Sequence, residues 1–191
     1  MFKVFLVDNY DSFTFNLVDY FRRLDTKVIV YRNKLNVSII DRMEPDLIVL
    51  SPGPSIPKNS GNLLKVIDRY HNKYPIFGIC LGHQAIVEYF GGSLDLLDYP
   101  YHGKQSLIHH DGKTIYKGIL NPFPAGRYHS LTGKDIPECL EVTATLDDIV
   151  MGVRHKKLPV EGVQFHPESI LTFQHGLKII QNVVYWAKNS P

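Results

Sequence analysis

Cysteine is scarce in this chain, with two residues, Cys80 and Cys139, among 191. Two cysteines allow at most one disulfide, which excludes the disulfide-rich scaffolds of small secreted domains and favours a reducing compartment. An excess of charge of one sign is also missing, because 21 Lys and Arg face 19 Asp and Glu, for a net charge of +2. This balance gives no indication of a nucleic-acid or anionic-membrane partner.

Long apolar runs are missing as well. The apolar amino terminus is interrupted by Asp8, well short of a signal-peptide core, and no small-residue cleavage site follows it. No run approaches the roughly 20 residues needed to cross a bilayer. We therefore expect a cytoplasmic protein that makes no membrane contact.

The composition is that of an ordinary globular protein, with 44% hydrophobic and 21% charged residues. These fractions argue against disordered, collagen-like and coiled-coil chains. The length is enough to bury a sizeable core, and no repeat, linker or low-complexity tract divides it. We predict a single domain over residues 1–191.

The amino-terminal half alternates between strand and helix patterns. Predicted strands cover residues 2–7, 27–31, 46–50 and 75–79. Predicted helices cover residues 13–24, 38–43, 62–74 and 83–90, the first with Asp11 or Ser12 as its N-cap. Such alternation predicts an α/β fold with a mostly parallel, doubly wound, flavodoxin-like sheet and right-handed crossovers.

The carboxyl-terminal half has shorter strand patterns joined by turns. Asp111-Gly112 predicts a hairpin between residues 106–110 and 113–119. Further strands are predicted over 140–146, 150–155 and 160–165, before a last helix over 176–188. We expect antiparallel strands to join the sheet here, giving one mixed α/β domain.

The first candidate site is the sequence Gly78-Ile79-Cys80-Leu81-Gly82, between a predicted buried strand and a helix. It has the layout of a nucleophile elbow, in which a tight turn exposes the nucleophile above the sheet. A cysteine at a helix N-terminus is stabilised as thiolate, and the free amides there can hold an oxyanion. The alternative is that Cys80 is a small buried hydrophobe and that the glycines only serve the turn.

A partner base is suggested by His166-Pro167-Glu168, at the end of the last predicted strand. Residues two apart on a strand point to the same face, so the imidazole and the carboxylate would be neighbours. A carboxylate that orients a histidine serving a nucleophile is the logic of a catalytic triad. The alternative is a surface histidine beside a surface glutamate.

The loop Ser51-Pro52-Gly53-Pro54 follows the third predicted strand, at the sheet edge where Cys80 must lie. The amide of Gly53 could join that of Leu81 in an oxyanion hole, or the loop could be a plain rigid turn. It lacks the pattern of a phosphate-binding loop. Neither Cys80 with His83 nor the adjacent His109 and His110 has the usual spacing of metal ligands, so no metal is predicted.

Together these motifs make the chain resemble the class I (triad) glutamine amidotransferases, especially the glutaminase subunits of anthranilate synthase and aminodeoxychorismate synthase. The resemblance spans nearly the whole chain, at residues 7–14, 31–33, 51–54, 78–85, 102–104, 127–131 and 162–171. It implies Cys80 as nucleophile, His166 as general base and acid, and Glu168 as the residue that orients His166.

The resemblance also implies that L-glutamine is held by six residues besides Leu81, namely Gly53, Pro54, Ser55, Gln84, Ser130 and Leu131. Many relatives have glycine in place of Ser55, so a positive φ would be less favourable here. No cofactor is implied. The implied partner is a separate chorismate-binding synthase subunit that receives ammonia in a hetero-oligomer.

Several alternatives remain open at this stage. The fold and triad also suit a freestanding γ-glutamyl hydrolase or a cysteine peptidase, and a vestigial triad would make the chain a non-catalytic binding module. Within the favoured family, residues 78–87, 130–133 and 149–155 look more like the anthranilate branch, in tryptophan biosynthesis, than the aminodeoxychorismate branch of folate biosynthesis. Service of both branches is a further possibility.

Overall fold

Strand β1 (Phe2–Asp8) is formed by the apolar run near the amino terminus, and its residues Val4 to Val7 are completely buried. The computed structural model describes residues 1–190. The elements that follow are α1 (Thr14–Arg22), β2 (Thr26–Arg32), α2 (Ile39–Met43), β3 (Leu47–Leu50), α3 (Leu63–Tyr70), β4 (Ile76–Ile79) and α4 (Leu81–Tyr89). The second half contains β5 (Ser93–Leu96), β6 (Lys104–His110), β7 (Phe123–Arg127), β8 (Leu131–Lys134), β9 (Leu140–Leu146), β10 (Ile149–His155), β11 (Val160–Val163) and α5 (Phe173–Lys188).

Within residues 1–190, nine of the strands form one sheet, in the order β2-β1-β3-β4-β11-β10-β9-β6-β7. The five strands from β2 to β11 are paired in parallel, and the pairings from β11 to β7 are antiparallel. Strands β5 and β8 form a separate antiparallel pair. The predicted α/β fold, with its doubly wound sheet and added antiparallel strands, is confirmed.

Both faces of the parallel strands are covered, which explains their continuous apolar sequences. Leu6, Phe77 and Ile79 pack on one face in a cluster that includes residues of α1 and α5. Ile48 and Leu50 pack on the other face in a cluster that includes residues of α3 and α4. Each fully buried side chain of this kind contributes about 1.5–3 kcal/mol, so the sheet carries the site on a rigid base.

The predicted hairpin at Asp111-Gly112 is wrong, because residues 113–119 do not form a strand. Thr114–Tyr116 is a turn of 3-10 helix, and β6 pairs instead with the later strand β7. The segment buries Ile115 and Tyr116 against the core. Asn182 of α5 donates hydrogen bonds to the carbonyls of Ile115, at 2.9 Å, and Lys117, at 2.8 Å. Burial of Ile115 and Tyr116 and the two hydrogen bonds from Asn182 therefore hold this segment in place without strand pairing.

The boundaries of the helices also differ from the predictions, and α3, for example, ends at Tyr70, four residues before its predicted end. Neither Asp11 nor Ser12 is the N-cap of α1, which begins at Thr14 after Phe13. Asp8 organises this turn, because its Oδ1 accepts a hydrogen bond of 2.8 Å from Thr14 Oγ1. Helix α5 begins at Phe173, three residues before its predicted start. Within residues 1–190, no helix is long and apolar enough to cross a membrane.

Candidate active site

The predicted site residues follow the ends of three neighbouring strands. Strand β4 lies between β3 and β11, with Leu50 beside Gly78 and Ile79 beside Val163. Cys80 follows β4 directly, Gly53 lies three residues after β3, and His166 lies three residues after β11. Because adjacent strands lie about 4.8 Å apart, the sheet itself brings these residues to one edge.

Cys80 occupies a strained turn between β4 and α4. Its φ of 51° and ψ of −100° lie outside the regions that non-glycine residues normally adopt. The flanking glycines are required by space, since a Cβ at Gly78 would lie 2.5 Å from the backbone of Gly82. A Cβ at Gly82 would lie 2.4 Å from the carbonyl oxygen of Leu50. These contacts explain the glycine spacing and support the predicted elbow.

The start of α4 supplies an anion-stabilising environment for Cys80. The Cys80 carbonyl accepts the hydrogen bond of Gln84 N at 3.0 Å, which closes the first turn of the helix. The N–H groups of Leu81 and its next two neighbours precede that bond and have no partner within the helix. The helix dipole and these N–H groups favour negative charge on the sulfur or on an adjacent oxyanion.

His166 and Glu168 form a buried pair beside this turn. His166 Nδ1 and Glu168 Oε1 lie 2.6 Å apart, and each residue is 2% exposed. Burial works against the charged imidazole, but the Glu168 carboxylate and Cys80 raise the pKa of His166 well above its usual value. The bond to Glu168 fixes Nδ1 and leaves Nε2 as the atom that can exchange a proton with Cys80.

The backbone around His166 is held from two sides. Thr172 Oγ1 donates to the His166 carbonyl at 2.7 Å and accepts from Gly126 N at 2.9 Å. On the other side, Gly176 of α5 approaches the Pro167 carbonyl so closely that a Cβ would lie 1.9 Å from its oxygen. The orientation of His166 is therefore built into the core packing.

Two cavities meet at Cys80. The larger, of about 380 Å³, is lined by Asp11, Phe13, His102, Tyr128 and His166, among others. The smaller, of about 190 Å³, contains all but one of the predicted glutamine-binding residues in its lining, namely Gly53, Pro54, Ser55, Gln84, Ser130 and Leu131. Leu81, the remaining one, is 1% exposed, and its side chain packs beneath Gly53.

Ser55 has the positive φ that is less favourable for serine than for the glycine found in many relatives. Its φ is +72°, in the left-handed region that glycine adopts freely. A side chain there costs on the order of 1 kcal/mol or more. Asn9 supports the same loop, because its side-chain amide donates to the Ser51 carbonyl at 2.8 Å and is buried.

The sequence patterns gave no role to several residues of the site. Gln164 Nε2 lies 3.5 Å from Cys80 Sγ, and its Oε1 accepts a hydrogen bond of 3.1 Å from Gln84. The position of Gln164, two residues before His166, was the available signal. The rings of Phe13 and Tyr128 meet the His166 ring edge-on, at 5.6 and 4.8 Å between centroids.

Asp11 is a further titratable group in the lining of the larger cavity. Burial raises its pKa, while the hydrogen bond from Phe13 N and the charge of His166 oppose that rise. Its carboxylate Oδ2 accepts the Phe13 bond at 2.7 Å, which aligns the loop that leads into α1. No pattern in the sequence distinguished it from an ordinary helix cap.

A buried histidine of helix α4, three residues after Cys80, gives a testable pH dependence. His83 is completely buried on α4, and burial lowers its pKa to about 4 from 6.5. Between these values the unfolded chain binds a proton that the folded chain does not, so the free energy of unfolding falls as pH falls. We expect the difference in that free energy between wild type and His83→Asn to shrink by about 1.4 kcal/mol per pH unit in this window.

Urea unfolding at several pH values measures this difference, in which the contributions of other titratable groups cancel. His109→Asn is the matched control, because the His109 side chain is exposed. A difference between wild type and His83→Asn that stays constant from pH 6.5 to pH 4 would contradict the assignment.

The geometry places a cysteine, a histidine and a carboxylate together on the carboxyl edge of an α/β sheet, an arrangement suited to nucleophilic catalysis. The family model for glutamine amidotransferase class-I matches residues 5–186. The chain therefore belongs to the class I glutamine amidotransferase family, as its motifs predicted.

Several relatives with high sequence identity carry the names of particular members of this family. The chain is 52% identical to anthranilate synthase component 2 of Methanocaldococcus jannaschii, covering 95% of this chain and 96% of that protein. It is 46% identical to aminodeoxychorismate/anthranilate synthase component 2 of Bacillus subtilis, covering 95% of each. The structure matches that of a putative GMP synthase subunit from Thermoplasma acidophilum with a TM-score of 0.89 and 28% identity, covering 98% of this chain and 94% of that one.

Proposed function

We propose that this chain is the glutaminase subunit of an anthranilate synthase. It hydrolyses L-glutamine to glutamate and ammonia with Cys80, His166 and Glu168. The observation that carries the proposal is the buried His166–Glu168 pair, at 2.6 Å, beside a cysteine that faces a cavity lined by the expected glutamine-binding residues. The near full-length relatives named component 2 support the same conclusion.

The first half of the reaction forms a thioester. The Cys80 thiolate attacks the side-chain amide carbon of glutamine, and a C–S bond forms as the carbonyl electrons move onto oxygen. The N–H groups of Gly53 and Leu81 stabilise that oxyanion. His166 then donates its Nε2 proton to the amide nitrogen of glutamine, and the C–N bond breaks. Ammonia departs, and a γ-glutamyl thioester remains on Cys80.

The second half hydrolyses the thioester. Once the sulfur is acylated, its negative charge no longer raises the pKa of His166, so the ring stays neutral more readily and is free to accept a proton. His166 takes a proton from water, the resulting hydroxide attacks the thioester carbon, and glutamate leaves as the thiolate is regenerated. Glu168 keeps the ring oriented through both halves, since its oxygen stays bonded to Nδ1.

Ammonia made at Cys80 needs an acceptor, which we assign to a chorismate-binding synthase subunit. The name component 2 of the archaeal relative, 52% identical to this chain, implies another component in that protein's complex. Glutamine is thus the substrate of this chain, and chorismate is the substrate of its partner. A cytoplasmic location fits this role and remains a prediction.

The aminodeoxychorismate branch is the second candidate. It is favoured by the relative from Bacillus subtilis, whose name joins both products, at 46% identity. The catalytic steps in this chain would be the same for either product, because the partner alone decides what the ammonia becomes. A subunit that serves both partners is compatible with one glutaminase site.

Reconstitution with each type of synthase subunit tests the proposal. We expect the complex with the anthranilate synthase subunit to form anthranilate from chorismate and glutamine, with one glutamate released for each anthranilate. Aminodeoxychorismate from the other complex would establish the second branch. Full activity of the isolated chain on γ-glutamyl peptides, with no glutamine-dependent product in either complex, would instead establish a freestanding hydrolase.

A further inference from the structure

A charged side chain is buried next to the smaller cavity. Arg127, in β7, is 0% exposed, and within residues 1–190 no carboxylate lies within ion-pair distance of it. Its guanidinium stacks 3.6 Å from the ring centre of Tyr101, which compensates part of the charge. Its Nε donates to His129 Nε2 at 3.0 Å, and Nη1 lies 3.5 Å from Ser106 Oγ. Burying a charge without a paired anion costs free energy that only stacking and hydrogen bonds can offset here.

The bond from Arg127 fixes the tautomer of His129. A guanidinium can only donate, so His129 Nε2 must accept, and the ring proton must be on Nδ1. That Nδ1 lies 2.7 Å from the Leu131 carbonyl and therefore donates to it. Burial lowers the pKa of His129 to about 3, so the ring stays neutral and keeps this polarity at physiological pH.

The hydrogen bonds from Arg127 through His129 end at Leu131, in the wall of the smaller cavity, where glutamine is expected to bind. His129, Ser130 and Leu131 all line that cavity. The Leu131 carbonyl also accepts from Gln84 Nε2 at 3.3 Å, and Gln84 bonds in turn to Gln164 beside Cys80. The carbonyl of Ser130 accepts from Leu97 N at 2.9 Å. The orientation of this main-chain stretch thus depends on donors that surround it.

We propose that Arg127 and His129 are positioning residues for glutamine. The Arg127–His129–Leu131 relay of hydrogen bonds holds the main chain at residues 129–131 in the orientation that binds the substrate. Neither side chain takes part in proton transfer or bond making. The inference rests on the proposed function, because it concerns the substrate of that site.

Two substitutions at His129 separate the relay from simple packing. His129→Leu fills similar space but can neither accept from Arg127 nor donate to Leu131. His129→Gln retains an acceptor and a donor, so it can rebuild both bonds. We expect His129→Leu to raise the KM for glutamine about tenfold or more, with kcat nearly unchanged, and His129→Gln to recover most of that loss.

Both variants are assayed in the complex with the synthase subunit, in a Cys139→Ala background. The alkylation rate of Cys80 by iodoacetamide reports on the triad without using glutamine. We expect it to be unchanged, as is product formation from added ammonium salt.

An unchanged KM in His129→Leu would overturn the inference. Loss of alkylation and of glutamine turnover together, or a His129→Gln variant as impaired as His129→Leu, would overturn it too, since each outcome indicates packing alone. Failure of the proposed function looks different, because the wild-type complex itself would then release no glutamate from glutamine.

Discussion

Cys80→Ala is expected to abolish glutamine-dependent glutamate release, with kcat/KM lower by about 10⁴-fold or more. The methyl group cannot form the thioester, and water at the same position lacks the nucleophilicity of a thiolate. The variant should fold, because Cys80 is small and the turn is set by the packing of Gly78 and Gly82. Glutamate is measured in the reconstituted complex at saturating chorismate.

Two controls accompany this experiment. Cys139→Ala removes the other cysteine, a half-buried residue outside the lining of the two cavities at Cys80, and should leave the rate unchanged. Product formation from chorismate and added ammonium salt should survive in Cys80→Ala, because the partner's site is intact. Glutamate release by Cys80→Ala at the wild-type rate would remove Cys80 from the mechanism.

His166→Asn is expected to slow glutamine turnover by about 10³-fold or more. Asparagine is close to histidine in size but cannot exchange a proton between Cys80 and the leaving nitrogen. In the wild type, the Glu168 carboxylate stabilises a positive charge on His166 and so raises the pKa of that histidine. The asparagine amide cannot carry this charge. The buried Glu168 would lose its charged partner, so some loss of stability is expected as well.

Rapid mixing with glutamine distinguishes the two halves of the reaction. Without its acid and base, the variant should show either no γ-glutamyl enzyme or a thioester that persists, detectable as a mass increase on Cys80. His109→Asn, at an exposed position, serves as the control for histidine replacement. A His166→Asn enzyme with an unaltered rate would exclude His166 from the triad.

The sequence predicted that Cys80, His166 and Glu168 lie together, because regular structure places them. Cys80 and His166 follow adjacent parallel strands, and Glu168 lies two positions after His166. Pattern and strand geometry then suffice, since neighbouring parallel strands end at the same edge. The strand and helix alternation of the first half was predictable for the same reason.

The remaining features depend on contacts between distant segments. Residues 113–119 have a strand-like sequence, yet burial of Tyr116 and the bonds from Asn182 hold them in a different conformation. Gln164 reaches Cys80 across 84 positions of sequence, and Arg127 has no local carboxylate that would mark its burial. Local propensity carries no information about such long-range bonds.

Because Ser55 has a positive φ, serine and glycine at this position differ in their effects on both the folded and the unfolded chain. Glycine at this position would relieve the folded loop of about 1 kcal/mol of strain. It would also enlarge the set of conformations that folding must give up, which costs about 0.4–1 kcal/mol. The two effects oppose each other, so a serine here changes the net free energy of folding little. Serine and glycine then differ mainly in the hydroxymethyl group that serine adds at the wall of the cavity.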